Sequence, residues 1–177
     1  MIQKKICMVG AFGVGKTSLV ARFVFSLFSE KYQTTIGVKI DKKQIKIGGQ
    51  DVTLMLWDLA GEDALTQIRP AHLNGASGFI LVADGCRRSS LEAAQSLKSR
   101  VLEAAGAVPF VLVVNKADLR ETWEVQQADL DPLAAQGWPV LFASAKSGAG
   151  VEALFHELAV RMLKEEDVQP HPAGAGN

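Results

Sequence analysis

The sequence predicts an α/β fold: a six-stranded, mostly parallel sheet with one antiparallel hairpin strand, covered by helices on both faces. Three observations predict it. Short apolar runs alternate along the chain with segments of helical length, the pattern left by successive strand–helix units. Two of those runs, "GFILVAD" at 78–84 and "PFVLVVN" at 109–115, are dense in β-branched and aromatic residues, as strands buried on both faces require. One pair of runs is joined across "GGQ", which leaves room for a tight hairpin turn and none for a crossover helix.

The elements follow in chain order. "KKICMVG" at 4–10 reads as a strand that runs into a glycine-rich loop, and "KTSLVARFVFSLF" at 16–28 reads as the helix after it. "VKIDKKQIKI" at 38–47 and "VTLMLWD" at 52–58 form the hairpin. The alternating lysines of its first arm read as a solvated strand face, although that edge is also open to a partner. After the strand at 78–84, "SSLEAAQSLKSRVLEAAG" has a Ser start, a stripe of Leu91, Ala94, Leu97 and Val101, and a closing Gly106, which together define an amphipathic helix. "PVLFAS" at 139–144 is the last strand, and "VEALFHELAVRMLKEE" at 151–166 the last helix. One domain over 1–166 is expected. The remaining 167–177, rich in Pro, Gly and Ala, is expected to be a disordered tail.

Bulk properties narrow the function. The 177 residues are 48% hydrophobic and 21% charged, with 19 Lys plus Arg against 19 Asp plus Glu. A chain without net charge has no general attraction to nucleic acid or to anionic membrane. Cys7 and Cys86 each lie in or beside an apolar run and read as unpaired thiols of a reducing compartment. No run approaches the roughly 18 apolar residues that span a bilayer. The N-terminus lacks signal-peptide architecture, Ile2 excludes myristoylation and "HPAGAGN" offers no prenylation cysteine. A cytoplasmic protein without an intrinsic membrane anchor is the expectation.

Chemistry begins at "GAFGVGKT". Gly10, Gly15, Lys16 and Thr17 satisfy G-x-x-x-x-G-K-[ST], placed after a strand and at the opening of a helix. Glycines let the backbone wrap so that successive N–H groups face phosphate oxygens. The helix behind adds the positive end of its dipole. Lys16 supplies a mobile charge for the terminal phosphates, and the Thr17 hydroxyl suits Mg²⁺. The chain is thus a three-layer P-loop nucleotide binder. "NKAD" at 115–118 ends a strand about a hundred residues further on. A carboxylate there can accept from both N1–H and the exocyclic amine of guanine, whereas adenine would leave it unsatisfied. "SAK" at 144–146 follows the last strand, where backbone N–H groups could meet guanine O6.

In that order and spacing, "GAFGVGKT", "TTIG", "WDLAGE", "NKAD" and "SAK" resemble the Ras superfamily of small GTPases, nearest the Rab and Rab-like members, over residues 2 to 165. The absence of a lipidation cysteine departs from most eukaryotic members and is similar to prokaryotic Ras-like GTPases. The resemblance implies a switch that binds GTP or GDP with Mg²⁺ and hydrolyses GTP. It implies effector, activating and exchange proteins as partners. By position, Thr35 would reach Mg²⁺ and the γ-phosphate only in the GTP state, Asp58 would hold Mg²⁺ with Thr17, and the Gly61 amide would sense the γ-phosphate. Phe28 would lie on the guanine face, unless it is simply helix core with Phe23 and Phe25, and Tyr32 would cover the phosphates, unless it is plain surface. The implied nucleotide contacts are Phe12, Gly13, Val14, Gly15, Lys16, Thr17 and Ser18, then Thr34, Thr35 and Gly61, then Asn115, Lys116, Asp118 and Leu119, and finally Ser144, Ala145 and Lys146. Lys16, Thr35, Gly61 and Glu62 are the implied catalytic group.

Two positions depart from the family pattern. The residue after "DLAG" is usually Gln, which orients the attacking water as donor and acceptor; here it is Glu62. A carboxylate accepts from the water but cannot donate to a phosphate oxygen, and the γ-phosphate repels it. Slow hydrolysis is the favoured outcome, against a stronger acceptor that aligns or partly deprotonates the water, or a side chain that simply faces solvent. Phe12 occupies a position that is normally small, where its ring would obstruct an incoming arginine or rest on the loop near Leu65. No arginine of these loops stands where a finger in cis would be needed, although Arg69 lies nearby in sequence. A GTP-binding interaction module with negligible hydrolysis is the alternative reading. A P-loop kinase or ATPase is the third, and "NKAD" argues against it.

Overall fold

In the computed structural model, residues 1–31, 34–61 and 67–168 are described. Six strands form one sheet in the order β2-β3-β1-β4-β5-β6. They are β1 (Ile2–Gly10), β2 (Val38–Ile47), β3 (Gln50–Leu59), β4 (Gly78–Asp84), β5 (Phe110–Asn115) and β6 (Val140–Phe142). Every neighbouring pair is parallel except β2 and β3, which are antiparallel across the glycine turn. Around the sheet lie α1 (Lys16–Phe25), the short α2 (Pro70–Leu73), α3 (Arg88–Ala105), α4 (Gln127–Ala135) and α5 (Val151–Val168).

The two-residue period of β1 sorts its side chains onto opposite faces. Ile6 and Met8 join a core with Phe23, Ile80, Val82, Leu154 and Phe155, under α1 and α5. Cys7 and Val9 join a second core with Phe79, Leu81, Leu91, Ala94, Leu97 and Val101, under α3. Phe23 and Phe155 stack at 4.0 Å between ring centroids, locking α1 to α5. β4 and β5 are buried along almost their whole length because both faces are covered, which is why their sequences show no polar alternation. Three buried polar residues sit at the carboxyl ends of their strands: Asp58 on β3, Asp84 on β4 and Asn115 on β5. In an open parallel sheet that edge is where a ligand crevice forms.

Two expectations change. The first helix stops at Phe25, not Phe28, because Ser26 turns into the left-handed region (φ 55°) and its N–H closes on Arg22 O at 3.0 Å. No glycine announces this stop, and Phe25 at the helix end and Leu27 beyond the turn are both exposed. The helix α4 has no counterpart in the sequence reading. Pro132 lies inside it, and its N-terminus is set by a reciprocal cap between Gln126 and Asp129. The tail from residue 169, like Tyr32, Glu62 and Leu65, lies outside the described residues. Among the described residues no helix is long and apolar enough to cross a membrane.

Candidate functional site

The loop between β1 and α1 is shaped by what its carbonyls do. Lys16 Nζ donates to Gly10 O at 3.2 Å and Ala11 O at 3.0 Å. Arg87 Nη2 donates to Phe12 O at 2.6 Å, Lys116 Nζ lies 3.5 Å from Gly13 O, and Asn115 Nδ2 donates to Val14 O at 3.0 Å. Gly15 O accepts from Leu19 N–H at 2.9 Å. Six successive carbonyls are thus taken. In a planar trans peptide the following N–H points the opposite way, so the bonds on Phe12, Gly13 and Val14 O fix the directions of the Gly13, Val14 and Gly15 amides. Gly15 is required there: its φ is +99°, and a Cβ would stand 2.3 Å from Asn115 Nδ2.

The loop lines a cavity of about 310 Å³. Its walls include Phe12, Gly13, Gly15, Lys16, Thr17 and Ser18 from the loop and α1, Phe28 and Thr35 from the segment after α1, and Gly61 after β3. The other end is closed by Asn115, Lys116, Asp118, Leu119, Ala145 and Lys146. Phe28, released from the helix by the Ser26 turn, lines the cavity instead of the core. Val14 and Ser144 do not line it: Val14 is core, and buried Ser144 donates to Asp118 Oδ1 at 2.7 Å. Thr34 is exposed and outside the lining. Ser29, Glu30, Lys31 and Leu59 line it as well, and nothing in their residue types signals this.

Lys16 is buried, and burial pushes its pKa down to about 8, with Asp58 pulling upward and Arg87 pushing further down. A bound polyphosphate reverses that cost by supplying the missing negative partner. Across the floor, the Thr17 hydroxyl donates to Asp58 Oδ2 at 2.5 Å, and the Thr35 hydroxyl lies 2.7 Å from Thr17 Oγ1 and 3.2 Å from Asp58 Oδ2. Burial raises the pKa of Asp58, while the hydrogen bond from Thr17 and the charge of Lys16 act against it. Asp58 Oδ1 is buried without a hydrogen-bond partner among the described residues. Three hard oxygen donors and one vacant carboxylate oxygen fit a small divalent cation such as Mg²⁺. With a single carboxylate in the set, a bound phosphate and water would complete the coordination.

At the other end of the cavity, Asn115 bridges two segments, donating to Val14 O and accepting from Ala145 N–H at 3.3 Å. Lys116 adopts the left-handed region (φ 70°), a strained conformation for a side-chain-bearing residue. It is held by Asp84 Oδ2 at 2.7 Å and by Trp123 Nε1–H on its carbonyl at 2.8 Å. Arg22 donates to Ala145 O at 2.8 Å and to Lys146 O, fixing the loop after β6. Lys146 pairs with Glu30 at 3.0 Å across the mouth, and that bond raises its pKa. Asp84 and Arg87 are absent from the sequence reading; the acid that ends a fully apolar strand was the available signal.

A G-x-x-x-x-G-K-T loop between a strand and a helix, at the carboxyl edge of a mostly parallel sheet, defines a P-loop nucleotide-binding fold. Comparison with known proteins carries this further. Residues 5–164 match the Ras family. The chain is 34% identical over 174 residues to Ras-related protein SEC4 of Candida albicans, covering 97% of this chain and 82% of the relative. It is 38% identical over 163 residues to Ras-related protein Rab-30 of Homo sapiens, covering 91% and 80%, and 36% identical over 161 residues to Rab-13 of Bos taurus, covering 90% and 79%. The chain belongs to the Ras family, on its Rab-like side: a guanine-nucleotide switch that hydrolyses GTP to GDP.

Proposed function

We propose that the residues of this cavity divide the work of the switch as their geometry suggests. The loop amides and Lys16 hold the β- and γ-phosphates. Thr17, Thr35 and Asp58 hold Mg²⁺, which when bound neutralises charge that develops on the phosphates. Asp118, kept in place by Ser144, accepts from guanine, and Phe28 packs on the ring. Thr35 and the Gly61 amide report the γ-phosphate, so loss of that group releases the segments that carry them. Effector, activating and exchange proteins read those segments. The free thiols Cys7 and Cys86 fit a reducing, cytoplasmic location.

Hydrolysis on this reading is slow without a partner. The chain supplies an acceptor for the attacking water in Glu62, and Phe12, 41% exposed at the cavity rim, narrows the approach to the γ-phosphate. The observation that carries the proposal is the engagement of six successive loop carbonyls, from Gly10 to Gly15, beside one cavity lined by both Lys16 and Asp118. The test is to load the protein with GTP and Mg²⁺, denature samples over time, and identify the released nucleotide. Slow conversion of one bound GTP to GDP supports the proposal; bound adenine nucleotide, or prompt hydrolysis without a partner, contradicts it.

A further inference from the structure

We infer that Arg87 is a phosphate-positioning residue, a clamp on the Phe12–Gly13 peptide that lies outside all the nucleotide motifs. Its guanidinium forks between two acceptors: Nε donates to Asp84 Oδ2 at 3.2 Å, and Nη2 donates to Phe12 O at 2.6 Å. Asp84 is 2% exposed and is itself anchored, accepting from Cys86 N–H at 2.9 Å and pairing with Lys116 at 2.7 Å. One buried carboxylate therefore aims two cations at adjacent loop carbonyls, Arg87 at Phe12 and Lys116 at Gly13.

The carbonyl of Phe12 and the N–H of Gly13 belong to one peptide group. A charge-assisted bond to the oxygen fixes the plane of that group and draws electron density from its nitrogen, strengthening the N–H as a donor. Gly13 lines the cavity with φ +77°, a conformation set by the orientation of that same peptide. The neighbouring Arg88 is a natural control. It has the same charge at the same helix start, but it is turned to Glu124 O at 2.9 Å and Asp129 at 3.3 Å.

This inference rests on the phosphate reading of the loop given above. The test is the dissociation rate of a fluorescent GDP analogue in Mg²⁺ from the wild type, Arg87→Gln, Arg87→Lys and Arg88→Gln, with ³¹P spectra of bound GDP. Arg87→Gln should release the analogue about tenfold faster, the loss of one charge-assisted bond. Arg87→Lys should fall between, because one ammonium cannot fork to both acceptors, and Arg88→Gln should match the wild type. The β-phosphate resonance should move in Arg87→Gln, less in Arg87→Lys and not in Arg88→Gln, a pattern that a general loss of stability does not produce. Wild-type rates in both Arg87 variants, or equal acceleration in Arg88→Gln, overturn the inference and leave the phosphate reading standing. If Arg87→Gln does not fold, Arg87→Lys alone decides: a wild-type rate overturns the inference. A wild type that binds no GDP analogue overturns both.

Discussion

The hydroxyl oxygens of Thr17 and Thr35 lie 2.7 Å apart, and both lie within 3.2 Å of Asp58 Oδ2. Thr17 belongs to the start of α1 and Thr35 to the irregular segment before β2. If Thr35 joins the set only when the γ-phosphate is present, its loss should matter in one nucleotide state alone. Thr35→Ala should weaken Mg²⁺ binding about tenfold in the GTP-loaded protein, the scale of one lost hydrogen bond to a charged centre, and leave the GDP-loaded protein near wild type. Mg²⁺ titration of both forms measures this. An equal loss in both would make Thr35 a constitutive ligand.

Gly61 touches the phosphate loop directly. A Cβ there would stand 2.5 Å from Phe12 Cα and 2.9 Å from its N, and backbone cannot yield as a flexible side chain can. Gly61→Ala should lower the preference for GTP over GDP by about tenfold, the scale of a small overpacking penalty. Competition between the two nucleotides reads it out. An unchanged ratio would separate Gly61 from γ-phosphate sensing.

Glu62 and Phe12 should both retard cleavage. Glu62→Gln restores a donor to the γ-phosphate region, and Phe12→Gly opens the rim. Each should raise the single-turnover rate, by about tenfold for Glu62→Gln if one oriented donor is regained. Unchanged rates in both variants would show that neither residue limits the reaction.

Burial pushes the Cys7 thiol from 9.0 up to about 11, with the charge of Lys5 acting the other way. The folded state then keeps a proton that the unfolded chain gives up. The stability contributed is complete below pH 9.0 and falls as pH rises toward 11. Urea unfolding at pH 8 and pH 10.5 should show a drop in the wild type that is smaller in Cys7→Ala. The same drop in both would assign it to other groups.

Much of this architecture is legible in the sequence because local rules agreed with the tertiary outcome. The strand at 38–47 and the one at 78–84 appear with the expected bounds, since a hairpin turn fixes the first and a solid apolar run the second. The stripe Leu91, Ala94, Leu97 and Val101 is the buried face of α3. Helix α4 was hidden because Pro132 and interspersed acids blur its apolar period, and its cap used Gln126 and Asp129 instead of the commoner Ser or Thr. The motif residues were legible because each performs a local task at a fixed spacing. Asp84 and Arg87 were not, because their role exists only where the end of β4 meets the loop after β1, a contact 75 residues apart in the chain.

The most direct test is a side-by-side titration of guanine, adenine and xanthine nucleotides, with Mg²⁺, into the wild type and Asp118→Asn. The account predicts that the wild type takes up one guanine nucleotide per chain, ignores adenine, and loses guanine affinity in favour of xanthine by about a hundredfold when the carboxylate becomes an amide. A wild type that binds adenine as well as guanine, or an Asp118→Asn variant that keeps its preference, would contradict it.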